Sequence, residues 1–553
     1  DYTWEAASRI STLRPYGQPR WRLRFTPISA GLHQLKVAGV VEGRHVELAP
    51  IQIHVTESPQ WPGVLEPHPN HSLLRYRRNG REFWAAAMNM RSPYDTRYDR
   101  VFPGTAWKPW NLKLYADLFQ KYEQAGIKVI EVWLASWWLA PEWIPDARQN
   151  HGIGWYNQER LWFLDRLFEL ARQHGIYIIL AIHNHGKFSL HCDKEWDRNP
   201  FYRGNGGYLT NPEEFFYSKR AWTDYERFVR YMCARYGWAD NLLAWKLFTE
   251  INLTGRNGSW YKSAWVQKWH QKAALAFKKY DPLRHMVTTH WSGSYETAQR
   301  SMGLATLPEL EMLTLDAYYN GNYGVERFYR LLTQTFNFQN QVNKPCIITE
   351  FGGSPWADIL PHLYQGLHLA LWTSFFGKLP TTPGLWWFPM VEEHNLYQEY
   401  QAINRFASGE SRASLTRWHN RNPSAAFTME LVPDPSPPQK TSPKKHNFEL
   451  WALYSQSRIL GWIFDRSYYL GNDRFYEKPP RLQHFTLFLG DSSHGENNGT
   501  NLVPGKYRID FWNCRTGEVI NTHRFTVTGQ NAQLSWELPP FTGDIAFKIV
   551  PDN

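Results

Sequence analysis

Apolar and polar residues alternate with period two in three stretches near the start of the chain: RWRLRF at 20–25, GLHQLKV at 31–37 and IQIHVTE at 51–57. Successive side chains of a strand leave opposite faces, so this alternation, with turn formers between the runs, predicts a small antiparallel β-sandwich over residues 1–60. SPQWPG (58–63) and EPHPN (66–70) read as a linker, since their Pro and Gly break both regular patterns.

From about residue 72 the pattern becomes strand then helix, repeatedly. The expected strands are EFWAAAMNM (82–90), IKVIEVWL (127–134), IYIILAIH (176–183), LLAWKLFTE (242–250), HMVTTHW (285–291), EMLTLDAYY (311–319), CIITEF (346–351) and GLWWFP (384–389). Helical spacing fills the gaps, as in NLKLYADLFQKYEQAG (111–126), NQERLWFLDRLFELARQHG (157–175) and DILPHLYQGLHLALWTSFFG (358–377), each closed by a helix-stopping Gly. Eight strands alternating with helices predict an α/β fold, a (β/α)8 TIM barrel over residues 72–420. An open doubly wound sheet would want a Gly-rich phosphate loop after a strand, and the sequence has none. VPDPSPPQKTSPKK (432–445) reads as a linker. Beyond it FELWALY, RILGWIF, HFTLFLG, YRIDFWN and DIAFKIV predict a C-terminal all-β sandwich over residues 446–553.

Composition narrows the class. A chain of 553 residues is too long for one core, and 42% hydrophobic with 20% charged residues is the balance of a soluble globular protein. No run of about 18 apolar residues predicts a membrane span. The first residues, DYTWEAASRI, lack a leader pattern; the expectation is a secreted or periplasmic protein shown without its leader, with an intracellular one as the alternative. A net charge of +10 points to acidic surroundings or an anionic polymer. Zinc-finger spacing and RNA-binding aromatic signatures are missing, so nucleic acid is not an expected partner. Cys192, Cys233, Cys346 and Cys514 are too few and too scattered for a disulfide scaffold. Large cores and sandwich domains account for most of the 29 Trp, 30 Tyr and 31 Phe, while doublets such as Trp137-Trp138 and Trp386-Trp387 suggest that some rings stack on flat partners such as sugars or bases. Oligomeric state is not legible.

In such barrels the chemistry lies at the carboxyl ends of the strands. WKLFTEINL (245–253) ends the fourth strand on Glu250, and ITEFGG (348–353) ends the seventh on Glu350. An ionised glutamate closing an apolar run loses hydration unless it is paired or faces a cavity. Two of them on strands four and seven of one ring point into one cavity. Retaining hydrolysis of a glycosidic bond uses such a pair, with carboxyls about 5–5.5 Å apart. Other strand ends offer substrate-binding candidates: Arg91, Trp137, His183, His185, His290, Trp291, Tyr318, Trp386 and Trp387. Within each doublet, alternation sends one member toward the helices.

These segments resemble the clan A glycoside hydrolases, the 4/7 superfamily, over the barrel. The resemblance implies that Glu250 is the acid/base, that Glu350 is the nucleophile, that one of Tyr318 and Tyr319 at the end of strand six stands beside it and that a strand-eight Trp stacks on sugar. It implies no cofactor. The N-terminal sandwich resembles the immunoglobulin-like module often found ahead of such barrels. Thr249 departs from the clan, which has Asn there for the substrate 2-hydroxyl; Thr can supply one hydrogen bond but not an amide.

HNHGKFSLHCD (183–193) suggests metal ligands. Metal-dependent barrel hydrolases carry H-x-H after strand one and an Asp after strand eight, whereas here it follows strand three and LWWFPM has no Asp, so no metal is expected. The function expected is a retaining glycoside hydrolase, endo-acting on a β-linked polysaccharide. The net charge and RYRRNGR (75–81) suggest an anionic polymer such as a sulfated algal galactan of the carrageenan or agar type. A neutral β-glucan or β-mannan is the alternative; a non-catalytic carbohydrate-binding barrel and a metal-dependent hydrolase are the rivals of other classes.

Overall fold

The computed structural model describes residues 2–4, 13–18, 20–58, 60–70, 72–93, 112–146, 150–319, 324–354, 358–419, 427–432, 447–470, 481–488, 502–528 and 533–552. Its centre is a run of parallel strands in sequence order. Ala86–Met88, Ile127–Trp133, Tyr177–His183, Leu242–Phe248 and Met286–Thr288 pair one after another. His290–Trp291, Leu313–Ala317 and Cys346–Phe351 continue the series. The fifth strand is in two pieces around Thr289, the first paired with strand four and the second with strand six.

Three expectations need correction. GLWWFP is not an eighth strand: only Leu385 of it bridges, in parallel, to Met88 and to Phe351, and the chain turns into a helix at Phe388–Glu393. The first expected strand divides, Glu82–Phe83 joining a small antiparallel sheet and Ala86–Met88 the parallel one. RWRLRF is irregular, although Gly31–Leu35 and Ile51–Val55 do pair as antiparallel strands. Gly384 explains part of the first. A Cβ there would lie 2.7 Å from the Thr349 carbonyl oxygen and 3.2 Å from the Asn89 nitrogen, so the backbone passes between strands seven and one only without a side chain.

Helices Leu112–Ala125, Gln158–Gln173, Lys219–Tyr236, Ala264–Tyr280, Gly324–Val342 and Leu360–Phe376 follow the strands. Asn157, Ser218 and Ser263 cap three of them by accepting from the backbone N–H of Arg160, Ala221 and Val266. Leu360–Phe376 is apolar nearly all round and buried, because a second domain covers it. His368 of this helix stands between Glu399 and Asp544, 2.7 Å from each, and Trp372 stacks on Trp462.

That second domain is a sandwich. Six antiparallel strands run in the order Thr416–His419, Phe448–Ser455, Arg458–Asp465, Asp544–Pro551, Gly505–Asn513, Glu518–Val527. Three more, Phe427–Val432, Arg481–Phe488 and Gln533–Glu537, form the facing sheet. Leu450, Ile459, Phe485, Leu487, Phe511 and Phe547 fill the space between. Two strands thus come from chain ahead of residue 446; residues 433–445 of the expected linker lie outside the described residues.

Candidate active site

Strand four ends on a backbone under strain. Glu250 has φ 50° and ψ 56°, a left-handed conformation that costs a non-Gly residue on the order of 1 kcal/mol. Its neighbours hold it there. The Glu250 N–H donates to His290 Nδ1 at 3.1 Å, and the Thr249 N–H to the His183 carbonyl at 2.8 Å. Thr249 is fully buried, and its hydroxyl accepts from the His185 N–H at 3.3 Å. The hydroxyl therefore ties down the loop that carries His185.

His185 returns toward the strand-four carboxylate. Its Nδ1 lies 2.9 Å from Glu250 Oε2, obliquely to the ring N–H direction, and its Nε2 lies 3.1 Å from Asp193 Oδ2. Burial opposes charge on this ring. The Glu250 carboxylate outweighs it, with help from Asp193 and Cys192, and holds the His185 pKa well above the usual histidine value. The ring is an imidazolium beside Glu250.

Glu350 ends strand seven, 2% exposed, and Oε2 accepts the Tyr318 hydroxyl at 3.0 Å. Burial and then the Glu250 charge push its pKa up to about 8, against the pull of Lys246 and Arg91. The two glutamates therefore share one electrostatic environment. Beneath them, the Lys246 ammonium donates to both oxygens of Glu131 at 2.8 Å and to the Thr349 hydroxyl at 3.2 Å, all inside the ring.

Alternation decides the doublets. His290 faces the glutamates, whereas Trp291 is buried behind it with its indole N–H on the Ser301 hydroxyl at 2.9 Å. Tyr318 faces them; Tyr319 turns away to Asp358 at 2.6 Å. Trp386 packs beside Trp133 and Tyr318, whereas Trp387 is buried with its N–H on the Gly352 carbonyl at 2.6 Å. Trp291 and Trp387 are thus structural, a correction to their expected substrate roles. His183 needs the same correction. It is packed among Phe188, Phe215, Tyr225, Phe228 and Phe248, with neither ring nitrogen hydrogen-bonded among the described residues. His290 and Thr249 serve the backbone around Glu250 rather than an open cavity.

Arg91 is 1% exposed, its guanidinium 3.2 Å from the Trp386 ring centroid and donating to the Trp386 carbonyl at 3.3 Å. It is a buried neighbour of the carboxylates and not a surface anion site; Asp95 and Asp99, its other expected partners, lie outside the described residues. Trp137 is half-buried against the core after strand two.

Sequence reasoning passed over Asp316, Lys246 and Glu131. Asp316 was findable, since it lies two residues before Tyr318 on one strand and so shares its face. Two groups among the described residues have metal-ligand spacing: His185, Cys192 and Asp193, and His290, Asp316 and Glu350. His183 belongs to neither, so the H-N-H pair does not act as one ligand set.

A carboxylate pair closing strands four and seven of a parallel α/β series is the arrangement of a retaining glycoside hydrolase, and the chain is a glycoside hydrolase. Residues 94–362 match the family model described as "Cellulase (glycosyl hydrolase family 5)", a clan A domain. Two solved Bacteroides vulgatus structures share the fold. One, carrying a provisional glycoside hydrolase description, covers 96% of this chain and 90% of its own at 12% identity, TM-score 0.53. The other, titled a glycoside hydrolase family 5 protein, covers 90% and 94% at 12% identity, TM-score 0.50. No curated protein sequence matches the chain.

Proposed function

We propose that Glu350 is the nucleophile and Glu250 the acid/base of a double displacement on a β-linked polysaccharide. The observation that carries this is the different company of the two carboxyls: Glu250 has His185 Nδ1 at 2.9 Å, Glu350 has a tyrosine hydroxyl at 3.0 Å, and the buried Lys246–Glu131 pair lies below. In the first step a carboxylate oxygen of Glu350 bonds to the anomeric carbon while Glu250 gives its proton to the glycosidic oxygen, which leaves as an alcohol. In the second, Glu250 takes a proton from water, the water oxygen bonds to the anomeric carbon, and the ester bond returns its electron pair to Glu350. Like charges disfavour two ionised carboxyls, so one proton stays in the pair. Glu350 ionises by passing that proton to Glu250, beside which His185 Nδ1 lies at 2.9 Å. The Leu385 bridges to strands one and seven support a closed (β/α)8 barrel around this site.

The arginines that suggested an anionic substrate are engaged within the chain. Arg75 and Arg77 pair with Glu66, Arg78 with Glu57, and Arg81 lies over Tyr76. With Arg91 also buried, the site offers no free cation on these positions, and a neutral β-glucan or β-mannan is the better reading. Product release from a panel of neutral and sulfated polysaccharides tests it: neutral chains are expected to be cut, and cleavage confined to sulfated ones would overturn the choice. A 2-deoxy-2-fluoro glycoside of the accepted sugar, followed by peptide mass spectrometry, is expected to place the adduct on Glu350; an adduct elsewhere would overturn the mechanism.

A further inference from the structure

Asp316 and Glu350 are register partners on the neighbouring parallel strands six and seven. Their side chains therefore leave the same face, about one strand spacing apart. Both are sealed from water, at 0% and 2% exposed. Neither oxygen of Asp316, nor Glu350 Oε1, is hydrogen-bonded among the described residues. Buried carboxyls in that condition are costly to fold around.

Beyond Asp316 stands His290, also fully buried, with Nε2 2.6 Å from Asp316 Oδ1. The approach is oblique, which is why it counts as a close polar contact and not a hydrogen bond. The other ring nitrogen settles the tautomer. Nδ1 accepts the Glu250 N–H and must keep its lone pair, so the neutral ring carries its proton on Nε2, facing Asp316. Asp316, His290 and the left-handed backbone of Glu250 thus form one line of contacts, while Asp316 also flanks Glu350.

We propose that Asp316 is a positioning residue for the acid/base: through His290 it fixes the backbone from which the Glu250 carboxyl projects. The proposal rests on the roles assigned to Glu250 and Glu350 above. The other charged or titratable groups facing this pair are Glu250 and Lys246 from strand four, Glu131 from strand two, His290 from strand five, Tyr318 from strand six, Arg91 after strand one and His185 after strand three. Asp316→Asn replaces one buried carboxyl by a group of the same shape and keeps all of them.

The test compares wild type, Asp316→Asn and His290→Gln on substrates with poor and with activated aryl leaving groups. Both variants are expected to lose at least about tenfold more rate on poor leaving groups than on activated ones, because only the former need a well-aimed proton from Glu250. Equal loss on both substrate types, accompanied by a lower melting temperature, would reduce Asp316 to a structural part and overturn the proposal. If Asp316→Asn does not fold, His290→Gln alone decides by its leaving-group dependence, a uniform loss being the negative result. Failure of azide to rescue Glu350→Ala would instead overturn the role assignment on which the proposal stands.

Discussion

His185 Nδ1 lies 2.9 Å from Glu250 Oε2, whereas His183, two residues earlier, is turned into a cluster of five aromatic rings. One histidine is charged by the site and the other is kept neutral by burial, which lowers the His183 pKa well below its usual value. Their substitutions should part accordingly. His185→Ala is expected to cost about 10²-fold or more in kcat/KM, the usual scale for a lost proton-transfer partner. His183→Phe should leave kcat/KM within a few-fold. A folded-state histidine pKa below the unfolded one gives stability that is present above about pH 6.5 and lost as pH falls, so wild type should lose melting temperature on acidification faster than His183→Phe. Thermal melts from pH 8 to pH 5 check this; parallel curves would contradict it.

The two glutamates should respond differently to azide. Glu350→Ala is expected to lose about 10³-fold or more in rate, with azide restoring turnover to an inverted glycosyl azide. Glu250→Ala should spare activated aryl glycosides in the first step, and azide should then release a product of retained configuration. Product stereochemistry by NMR checks the assignment. Swapped outcomes would exchange the roles.

Burial of Glu350 has a stability consequence. Its pKa is raised to about 8 in the folded protein, so the folded state holds its proton more tightly than the unfolded one. That contribution is fully present below about pH 4.5 and is lost as pH rises toward 8. Glu350→Gln lacks the loss, and at pH 8–9 it should be more stable than wild type, by up to about 4 kcal/mol from the pKa difference. Urea unfolding at pH 4.5 and pH 8.5 tests the sign: the gap should open only at the higher pH.

A fourth expectation concerns the seam between the parallel domain and the C-terminal sandwich. His368 holds Glu399 and Asp544 at 2.7 Å each, and Asp544 also accepts from Trp462 and Tyr469 at 2.8 Å. Burial and Arg515 oppose the ring's charge, but Asp544 and Glu399 prevail and the pKa of His368 is raised. His368→Ala leaves two buried carboxylates short of a cation and should cost about 3–5 kcal/mol. The raised pKa makes this contribution full below about pH 6.5 and smaller as pH rises through the folded value, so the gap in melting temperature should narrow in alkaline buffer. A gap independent of pH would show that packing, not charge, binds the domains.

Much of this was legible from periodicity. Glu250 and Glu350 stand at the ends of apolar runs whose order along the chain fixes them as the fourth and seventh strands, because a parallel α/β sheet adds strands in sequence order. Period two also limited each doublet to one inward residue. It could not choose between them, since His290 and Trp291, or Trp386 and Trp387, are equally apolar in context and only pairing with the neighbouring strands sets the face. GLWWFP misled because its aromatics read as strand, whereas Gly384 and the helix start at Phe388 allow only two bridges at Leu385. Asp316, Lys246 and Glu131 were hidden for another reason. They come from three different strands, and a buried charge has meaning only once its partners are brought within a few ångströms of it. The sequence by itself determined which carboxylates end which strands, because that depends on order and spacing. Only the tertiary structure decided which charges, rings and backbone groups meet them, because those contacts join residues 32 or more positions apart.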